Sequence, residues 1–391
     1  MSPEVRRLVI VTTTRADWGI LSPLARALNL RDDVELTIAA GNMHLSEKYG
    51  NTINEILIDG FSNVVRVGSS EVDLSAKSRT LLTADIAADT ARLIERMRPH
   101  GIILLGDRYE MLGVATAALI ANVPVVHLHG GEISEGAIDD SVRHALTKMA
   151  SLHLVATAKS AQRVIGMGEE PCRVIHTGAL GVENALRVET MTKPELEASL
   201  DGFEIDPFRT LLVTFHPVTR HPSGLSTSAQ FDNLLRALDQ VEECNIIFTY
   251  PNNDTGSDEI INGISRYSAE HPERVKVVAS LGKRRYLSAL KYVLAVVGNT
   301  SSGLLEAPST QASTIDIGPR QQGRERAESV FHVEDDPEMI AQAIRQTMAA
   351  KRNHSPHPET NPYYRPNALT TAVKAITEIL PKLPLTKKFH A

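Results

Sequence analysis

The stretch of this chain that decides its fold is VVHLHGGEISEGAIDDSVRH at residues 125–144, where an apolar run meets two glycines and then several carboxylates. The apolar run over 124–128 predicts a buried strand, and the paired glycines allow the backbone to turn where a Cβ would clash. Ligands of α/β sheets bind at the carboxyl ends of the strands, so this turn predicts an active site suited to proton chemistry. The carboxylates that it brings to the sheet edge are Glu132, Asp139 and Asp140.

Outward from this stretch, apolar runs of strand length alternate with amphipathic segments along the chain. This alternation is typical of βαβ units and predicts parallel, doubly wound sheets on either side of a polar connector near 190–206. The predicted strands are 8–14, 34–40, 102–106, 123–127, 152–156, 210–216, 244–250, 275–279, 294–298 and 313–317. The helices predicted from three- and four-residue apolar spacing are 21–30, 78–97, 139–150, 230–241, 285–293, 337–350 and 368–380.

The pattern predicts an α/β protein of two Rossmann-like domains. We expect an N-terminal domain over 1–185 that carries the catalytic carboxylates, and a C-terminal domain over 186–360. Residues 361–391 are expected to add a helix that packs back on the first domain. Two such domains facing a central cleft would suit a ligand long enough to contact both.

Composition excludes several classes of function. The 391 residues carry a formal net charge of −6, with no basic footprint of the kind that nucleic acids require. No apolar run approaches the about 18–20 residues of a membrane span, and the first residues do not resemble a signal peptide. Cys172 and Cys244 lack Cys or His partners at metal spacing. We therefore expect a cytoplasmic protein that binds neither nucleic acid nor membranes and has no structural zinc.

A second candidate site follows the predicted strand at 294–298. The sequence GNTSSGLLE at 298–306 places small hydroxylated residues between glycines just before a helix, where backbone N–H groups and the helix dipole favour an anion. An ordinary strand-to-helix turn has the same pattern, and the sequence leaves both open. Glu306, about one turn into the helix, suits ribose hydroxyls, with a solvated helix position as the alternative.

Two further polar residues follow apolar runs in this half of the chain. His216 is a candidate phosphate donor or acid, and a structural role is its alternative. Arg320 suits bidentate contact with a phosphate, although a surface arginine would leave the same pattern.

In the first half, TTTRADWG at 12–19 follows the first strand but lacks the Gly-x-Gly-x-x-Gly fingerprint, which disfavours an NAD or FAD enzyme. Arg15 is placed to reach a phosphate with Asp17 fixing its guanidinium, and a helix-capping network is the alternative. Asp107 is either catalytic or a partner that holds Arg108.

His127 and His129 alternate along one predicted strand. Their side chains are therefore expected on one face, like a pair of metal ligands. No third ligand follows at a recognisable spacing, so the sequence predicts no metal site.

Several motifs occur in order along the chain, namely TRADWG (14–19), GNMHLS (41–46), LGDRYE (105–110), HLHGGE (127–132), IDDSVRH (138–144) and GNTSSG (298–303). In this order they resemble the hydrolysing UDP-N-acetylglucosamine 2-epimerases of bacterial sialic-acid pathways. The likeness runs from about Val9 to Arg326 and is specific because the order spans both domains. Further shared landmarks are GALGVEN (178–184), YPN (250–252), DTG (254–256) and NPY (361–363).

The resemblance implies a GT-B-like fold of two Rossmann-like domains around a cleft, with UDP on the second domain and no cofactor. It implies a reaction in which UDP-N-acetylglucosamine and water give UDP and N-acetylmannosamine. UDP is first eliminated across C1 and C2, and water then adds to 2-acetamidoglucal with inversion at C2. Because the C2 proton is weakly acidic, a base must lie close to it while departure of UDP is assisted.

The resemblance also assigns roles to residues. It places Asp107, Glu132 and Asp139 at the catalytic end, with Asp140 as a near-equivalent; closely spaced carboxylates titrate as a coupled set, so their separate proton steps stay open. His216 is a further catalytic candidate. The contacts implied around the diphosphate and sugar are Arg15, Arg108, Asn252, His216, Thr300, Ser301, Gly303 and Arg320. Glu306 is implied at the uridine ribose, and the backbone near Ser280 and Leu281 at uracil.

Other functions remain open at this point. Similar enzymes act on UDP-N,N'-diacetylbacillosamine in legionaminic-acid synthesis. Non-hydrolysing epimerases release UDP-N-acetylmannosamine and typically have a His-Val-Glu-Ala-Gly-Leu-Arg run in place of His-Gly-Gly-Glu. A GT-B glycosyltransferase would need an acceptor, and a noncatalytic nucleotide-sugar sensor would not need so many carboxylates. A homodimer through helices of the first domain would suit the family.

Overall fold

The computed structural model describes residues 5–47, 50–69, 75–134, 138–218, 222–251, 256–310, 312–350 and 360–391. Within these ranges the chain forms two parallel sheets covered by helices, so the predicted α/β class with two Rossmann-like domains is confirmed. In this part of the chain, no helix has both the length and the apolar character that crossing a membrane requires.

The first sheet contains, among the described residues, β1 Arg6–Thr12, β2 Val34–Gly41, β3 Val64–Val67, β4 Gly101–Leu105, β5 Val125–Leu128, β6 Leu152–Val155 and β7 Val174–His176. These strands are parallel and lie in the order β3-β2-β1-β4-β5-β6-β7. The chain changes direction across the sheet between β1 and β4. Ligands of such sheets bind outside the carboxyl ends near this point.

The second sheet contains β8 Thr210–Thr214, β9 Asn245–Thr249, β10 Val275–Val278, β11 Ala295–Gly298, β12 Ser313–Ile317 and β13 Val330–Val333. Its strands are also parallel, in the order β10-β9-β8-β11-β12-β13. The corresponding change of direction falls between β8 and β11.

The α-helices of the described residues are α1 Arg15–Asn29, α2 Ile53–Ile58, α3 Ala76–Met97, α4 Glu110–Ile120, α5 Asp139–Met149, α6 Ala158–Gly166, α7 Leu180–Arg187, α8 Lys193–Ala198, α9 Thr227–Asp239, α10 Ser257–Glu270, α11 Gly282–Tyr292, α12 Ser302–Leu305, α13 Pro337–Ala350 and α14 Ala368–Lys374. A π-helical turn, Ala375–Ile379, follows α14. All of the predicted strands and helices overlap observed ones.

The chain divides into two compact units. One consists of Met1–Glu132, Ile138–Asn184 and Arg365–Ala391, and the other of Ile133–Ala137 and Ala185–Tyr364. In the first unit, alternate residues of β1 enter different apolar clusters because successive side chains of a strand point to opposite faces. Leu8 and Ile10 pack with α1 and α14, whereas Val9 and Val11 pack with α3 and α4.

The end of the chain is tied to the first unit by a buried carboxylate. Glu169 accepts hydrogen bonds from Lys148 at 2.5 Å, from Lys387 at 2.9 Å and from His153 Nε2 at 3.1 Å. Burial would raise the pKa of Glu169, but these hydrogen bonds outweigh it and lower the pKa to about 2. The carboxylate is therefore ionised, and it links α5, β6 and the last residues of the chain.

One difference from the sequence prediction in this unit lies at the start of α1. The helix was predicted from Leu21 but begins at Arg15, because Thr14 and Asp17 form a capping box. Asp17 N donates to Thr14 Oγ1 and Thr14 N donates to Asp17 Oδ2, each at 3.1 Å. The short strands β3, β7 and β13 were not predicted.

Candidate active site

Carboxylates of the first unit gather around the guanidinium of Arg143. Its Nη2 donates to Asp107 Oδ2, and its Nη1 donates to the backbone carbonyl of Glu132 at 3.1 Å. Asp140 Oδ1 lies 3.6 Å from Nη1, and Asp139 also interacts with Arg143 electrostatically. The structure thus brings the predicted catalytic carboxylates of this unit to one place.

Local structure explains this arrangement. Asp107 follows the end of β4, while Asp139 and Asp140 occupy the first turn of α5. Arg143 lies one turn further along α5, where side chains three and four positions apart meet on one face. Sequence reasoning did not assign Arg143 a role, although this spacing within IDDSVRH was a usable signal.

Arg143 remains charged in this environment. Its side chain is only 1% exposed, and burial opposes its charge, but the carboxylates of Asp107 and Glu132 outweigh that effect and raise its pKa. A buried permanent cation favours the ionised form of the carboxylate that it contacts. The guanidinium of Arg143 therefore favours the carboxylate form of Asp107.

Glu132 lies at the end of a tight turn that follows β5. Gly131 has a φ of +78°, and a Cβ there would lie 2.5 Å from the Ser160 carbonyl oxygen, so the turn requires glycine. Arg163 donates to the carbonyl of Gly131. At the end of this turn the Glu132 side chain is buried, 2.6 Å from His129 Nδ1.

The predicted alternation of His127 and His129 along one strand is wrong for His129. Because β5 ends at Leu128 and His129 has a φ of +63°, its ring leaves the strand and contacts Glu132. His127 stays in the strand, where Nε2–H donates to the Gly106 carbonyl at 2.7 Å. Burial lowers the pKa of His127 to about 3, so this ring is neutral and supports the turn that carries Asp107.

No group of three or more His, Cys, Asp or Glu side chains could hold a metal ion within the ranges that the structure covers.

Arg108 does not pair with its neighbour Asp107, which contacts Arg143 instead. Arg108 Nη2 donates to Glu110 Oε1 at 2.7 Å, and Asn42 Nδ2 donates to the same oxygen. Burial opposes the charge of Arg108, but the carboxylates of Glu110 and Asp17 outweigh it and raise its pKa. The alternative in which Asp107 merely holds Arg108 is therefore wrong.

The expectation that Asp17 fixes the guanidinium of Arg15 is also wrong. Asp17 accepts from Thr13 and Thr14 as part of the cap of α1, whereas Arg15 Nε lies 3.2 Å from Glu55 Oε1 of α2. Burial raises the pKa of Asp17. Arg15 itself is half-exposed at the start of α1, and contact with a phosphate stays a prediction.

In the second unit, Asn299 connects the strand ends that carry predicted site residues. Its Oδ1 accepts from the His216 backbone N–H at 2.7 Å, and its Nδ2 donates to the His216 carbonyl at 2.8 Å. Its carbonyl accepts from Arg320 at 3.1 Å and from Gln321 at 2.9 Å. Asn299 is fully buried and was not predicted as a site residue, although it begins the polar part of the GNTSSG motif.

His216 lies at the end of β8, buried beside Arg320. Burial first, and then the positive charge of Arg320, lowers the pKa of His216 well below its usual value. The imidazole is therefore neutral near neutral pH. It can donate one hydrogen bond and accept another, but it does not add a positive charge at this strand end.

The loop after β11 matches the predicted phosphate cradle only in part. Gly298 has a φ of +135°, and a Cβ there would overlap the Thr214 carbonyl, so glycine is required. α12 has only four residues, which limits its dipole. Gly303 N–H already donates to the Thr300 carbonyl at 3.2 Å, within the turn that also contains Ser301. Glu306 was expected one turn into the helix, but it comes directly after α12 ends.

The predicted uracil contact lies at the start of α11. The carbonyls of Ser280 and Leu281 accept from Arg285 at 3.0 Å and 2.8 Å, so they are held by the protein itself. Asn252, the remaining predicted contact, lies outside the described residues.

Comparison with known proteins identifies the family. Residues 26–377 match the family model described as UDP-N-acetylglucosamine 2-epimerase, and the chain belongs to this family. It is 34% identical to polysialic acid biosynthesis protein P7 of Escherichia coli, over 96% of this chain and 95% of that protein. It is 35% identical to the UDP-N,N'-diacetylbacillosamine 2-epimerase (hydrolyzing) of Legionella pneumophila, over 88% of this chain and 89% of that enzyme.

The fold has solved counterparts. The crystal structure of UDP-GlcNAc 2-epimerase from Neisseria meningitidis bound to UDP-GlcNAc superposes with a TM-score of 0.77 at 15% identity, over 95% of this chain and 99% of that chain. At this identity the likeness concerns the fold alone, and it supports the GT-B-like description.

Proposed function

We propose that this chain is a hydrolysing UDP-N-acetylglucosamine 2-epimerase, which converts UDP-N-acetylglucosamine and water to N-acetylmannosamine and UDP for sialic-acid synthesis. The observation that carries the proposal is the cluster of Asp107, Glu132 and Asp140 around the buried Arg143. Family membership and the similarity to hydrolysing relatives support it.

In the proposed mechanism, one carboxylate removes the C2 proton while the bond from C1 to the diphosphate oxygen breaks. UDP leaves with the bonding electrons, and C1 and C2 become doubly bonded. Water then gives its hydroxyl to C1, and a proton returns to C2 from the opposite face. Asp107, whose carboxylate form Arg143 favours, suits proton removal or stabilisation of the positive charge that develops at C1. Glu132, Asp139 and Asp140 share the remaining proton transfers.

The second unit would hold the UDP portion. Arg320, with its side chain anchored on Asn299, suits the diphosphate. Neutral His216 would donate a hydrogen bond or accept a proton from water. The remaining proposed contacts are Thr300, Ser301, Gly303 and Asn252 around the diphosphate and sugar, Glu306 at the ribose, the backbone near Ser280 and Leu281 at uracil, and Arg15 and Arg108 from the first unit.

Elimination followed by addition of water involves no net oxidation or reduction, so the proposal requires no redox cofactor. We also propose a homodimer through the first unit, because Leu119 and Ile120 of α4 are 56% and 77% exposed, and Ile120 lies beside apolar residues of α3. Sedimentation equilibrium of the wild type and of Ile120→Glu tests this, and a monomeric wild type would contradict it. Both cysteines are free, in keeping with the cytoplasmic location that we propose.

A second substrate is favoured by one specific observation. The Legionella relative, 35% identical, is named for UDP-N,N'-diacetylbacillosamine. This sugar undergoes the same chemistry at C1 and C2, so the carboxylate cluster serves either substrate.

The test is product analysis of the purified protein with each UDP-sugar separately and with no acceptor. Free N-acetylmannosamine and UDP would support the proposal. UDP-N-acetylmannosamine would indicate a non-hydrolysing epimerase, and turnover of only the second sugar would reassign the substrate. Turnover that needs an added acceptor would indicate a glycosyltransferase, while UDP binding without any turnover would indicate a sensor.

A further inference from the structure

His129 lies directly after β5 and contacts a carboxylate that the proposed mechanism uses. Its Nδ1 is 2.6 Å from Glu132 Oε1, and both side chains are buried. We propose that His129 is a positioning residue that donates Nδ1–H to Glu132 and fixes the plane of this carboxylate for proton transfer at the sugar. The inference rests on the proposed function, because that function requires a reacting carboxylate at this position.

The backbone of His129 supports a role for its side chain. Its φ of +63° lies in the left-handed region, which residues other than glycine adopt infrequently, although Asn, Asp and His are enriched there. A glycine would adopt this conformation without strain, and two glycines follow immediately in the sequence. Strained backbone of this kind concentrates at functional sites. The contact between the imidazole and Glu132 offsets the strain at this position.

The backbone on both sides of the contact is already fixed. His129 N–H donates to the Leu154 carbonyl at 3.0 Å, Arg163 donates to the Gly131 carbonyl, and Arg143 donates to the Glu132 carbonyl at 3.1 Å. These bonds hold only the backbone, whereas the Glu132 side chain has three rotatable bonds. The hydrogen bond from His129 restricts rotation about those bonds.

The two main carboxylates of the site thus have different partners. Asp107 contacts the guanidinium of Arg143, which cannot lose its proton in a protein. Glu132 contacts an imidazole, whose Nδ1–H can donate a single directed hydrogen bond to the carboxylate. The orientation of Glu132 therefore depends on the position of the His129 ring.

The second ring nitrogen of His129, Nε2, is a buried polar atom. It has no hydrogen-bond partner among the residues that the structure describes. Buried polar atoms are nearly always paired with protein or water. An ordered water is the partner expected for a buried nitrogen of this kind.

The test compares two substitutions at His129 with a matched control. His129→Leu removes both ring nitrogens, whereas His129→Asn keeps an N–H donor close to Nδ1 and tolerates positive φ. His153 is the control, because its Nε2 donates to the buried carboxylate of Glu169 in the same unit, outside the proposed site. The assay measures kcat, KM, UDP affinity and melting temperature for each variant on the sugar that the wild type turns over.

We expect His129→Leu to lower kcat about 10- to 100-fold, the effect of losing a hydrogen bond to a charged group. KM and the Kd for UDP should stay within about twofold, since binding is not affected. His129→Asn should recover most of the lost kcat. His153→Leu should lower the melting temperature but keep the kcat of the folded protein.

A double substitution separates positioning from general support of the fold. If His129 acts through Glu132, the pair His129→Leu with Glu132→Gln has the kcat of Glu132→Gln alone. Multiplying effects, or a wild-type kcat in His129→Leu, would overturn the inference. If the leucine variant does not fold, His129→Gly suits the backbone and replaces it in the same comparisons. Absence of wild-type turnover on either sugar would instead overturn the proposed function, so the two failures are distinguishable.

Discussion

Replacement of Arg143 by methionine tests the carboxylate cluster by removing its guanidinium at similar volume. The bond to Asp107 is charge-assisted and contributes about 1.5–3 kcal/mol, and the bond to the Glu132 carbonyl contributes about 0.5–1.5 kcal/mol. Loss of one partner of a buried ion pair costs about 3–5 kcal/mol. Because Asp107 is 25% exposed, the lower end of that range applies. We expect the free energy of unfolding to fall by about 3 kcal/mol.

Arg143→Lys gives a graded comparison. Lysine keeps the charge but cannot bind Asp107 and the Glu132 carbonyl together, because it lacks the planar fork of arginine. We expect it to lose about 1–2 kcal/mol, roughly one hydrogen bond. In both variants kcat should fall, because the carboxylates lose the guanidinium that they share. The Kd for UDP should stay unchanged.

Urea unfolding gives the free energies, and release of UDP under saturating substrate gives kcat. Arg173→Met is the matched control, because Arg173 is fully buried and its partner Glu170 is 25% exposed, as Asp107 is. It should lose comparable stability but keep the kcat of the folded protein. The reasoning is refuted if the free energy of unfolding of Arg143→Met lies within about 0.5 kcal/mol of the wild-type value, which is the range of neutral surface substitutions. It is also refuted if kcat falls as far in Arg173→Met as in Arg143→Met.

Three further predictions concern single residues. Glu132→Gln and Asp107→Asn should keep UDP affinity and lower kcat about 10²- to 10⁴-fold, and unchanged turnover would remove either residue from catalysis. Arg320→Ala should weaken UDP binding about tenfold or more by calorimetry, and an unchanged Kd would refute the contact. Glu169→Gln should lower the free energy of unfolding at pH values above about 4.5, the ordinary pKa of glutamate. The difference in free energy of unfolding between variant and wild type should shrink as the pH falls towards 2, because hydrogen bonds lower the pKa of Glu169 in the folded state. A difference that does not change with pH would contradict this.

The fold was predictable because most strands are distinct apolar runs separated by turn residues. The strands that were missed, β3, β7 and β13, lie at the edges of the two sheets, and an Arg or His interrupts or ends the short apolar run of each. α4 was missed for the opposite reason. Its sequence EMLGVATAALI is apolar nearly all round and lacks the polar face that marks a surface helix.

The sequence could place several residues of the candidate site at one sheet edge, but it could not predict their pairings. Parallel strands bring their carboxyl ends to one edge, so residues such as Asp107 and Glu132 could be placed there from the sequence. Neighbours in sequence suggested that Asp107 holds Arg108, yet Asp107 contacts Arg143, 36 positions away. Partners across a fold depend on side-chain direction and helix placement, which no local pattern contains. Asn299 was missed for the same reason.

The measurement that tests the central proposal most directly follows UDP-N-acetylglucosamine and the purified protein in deuterated water by proton NMR. Removal of the C2 proton and its return from solvent predict free N-acetylmannosamine with deuterium at C2, together with UDP. Free sugar that retains its C2 proton would contradict proton removal by the carboxylate cluster. Nucleotide-bound N-acetylmannosamine as the final product would contradict the hydrolysing reaction.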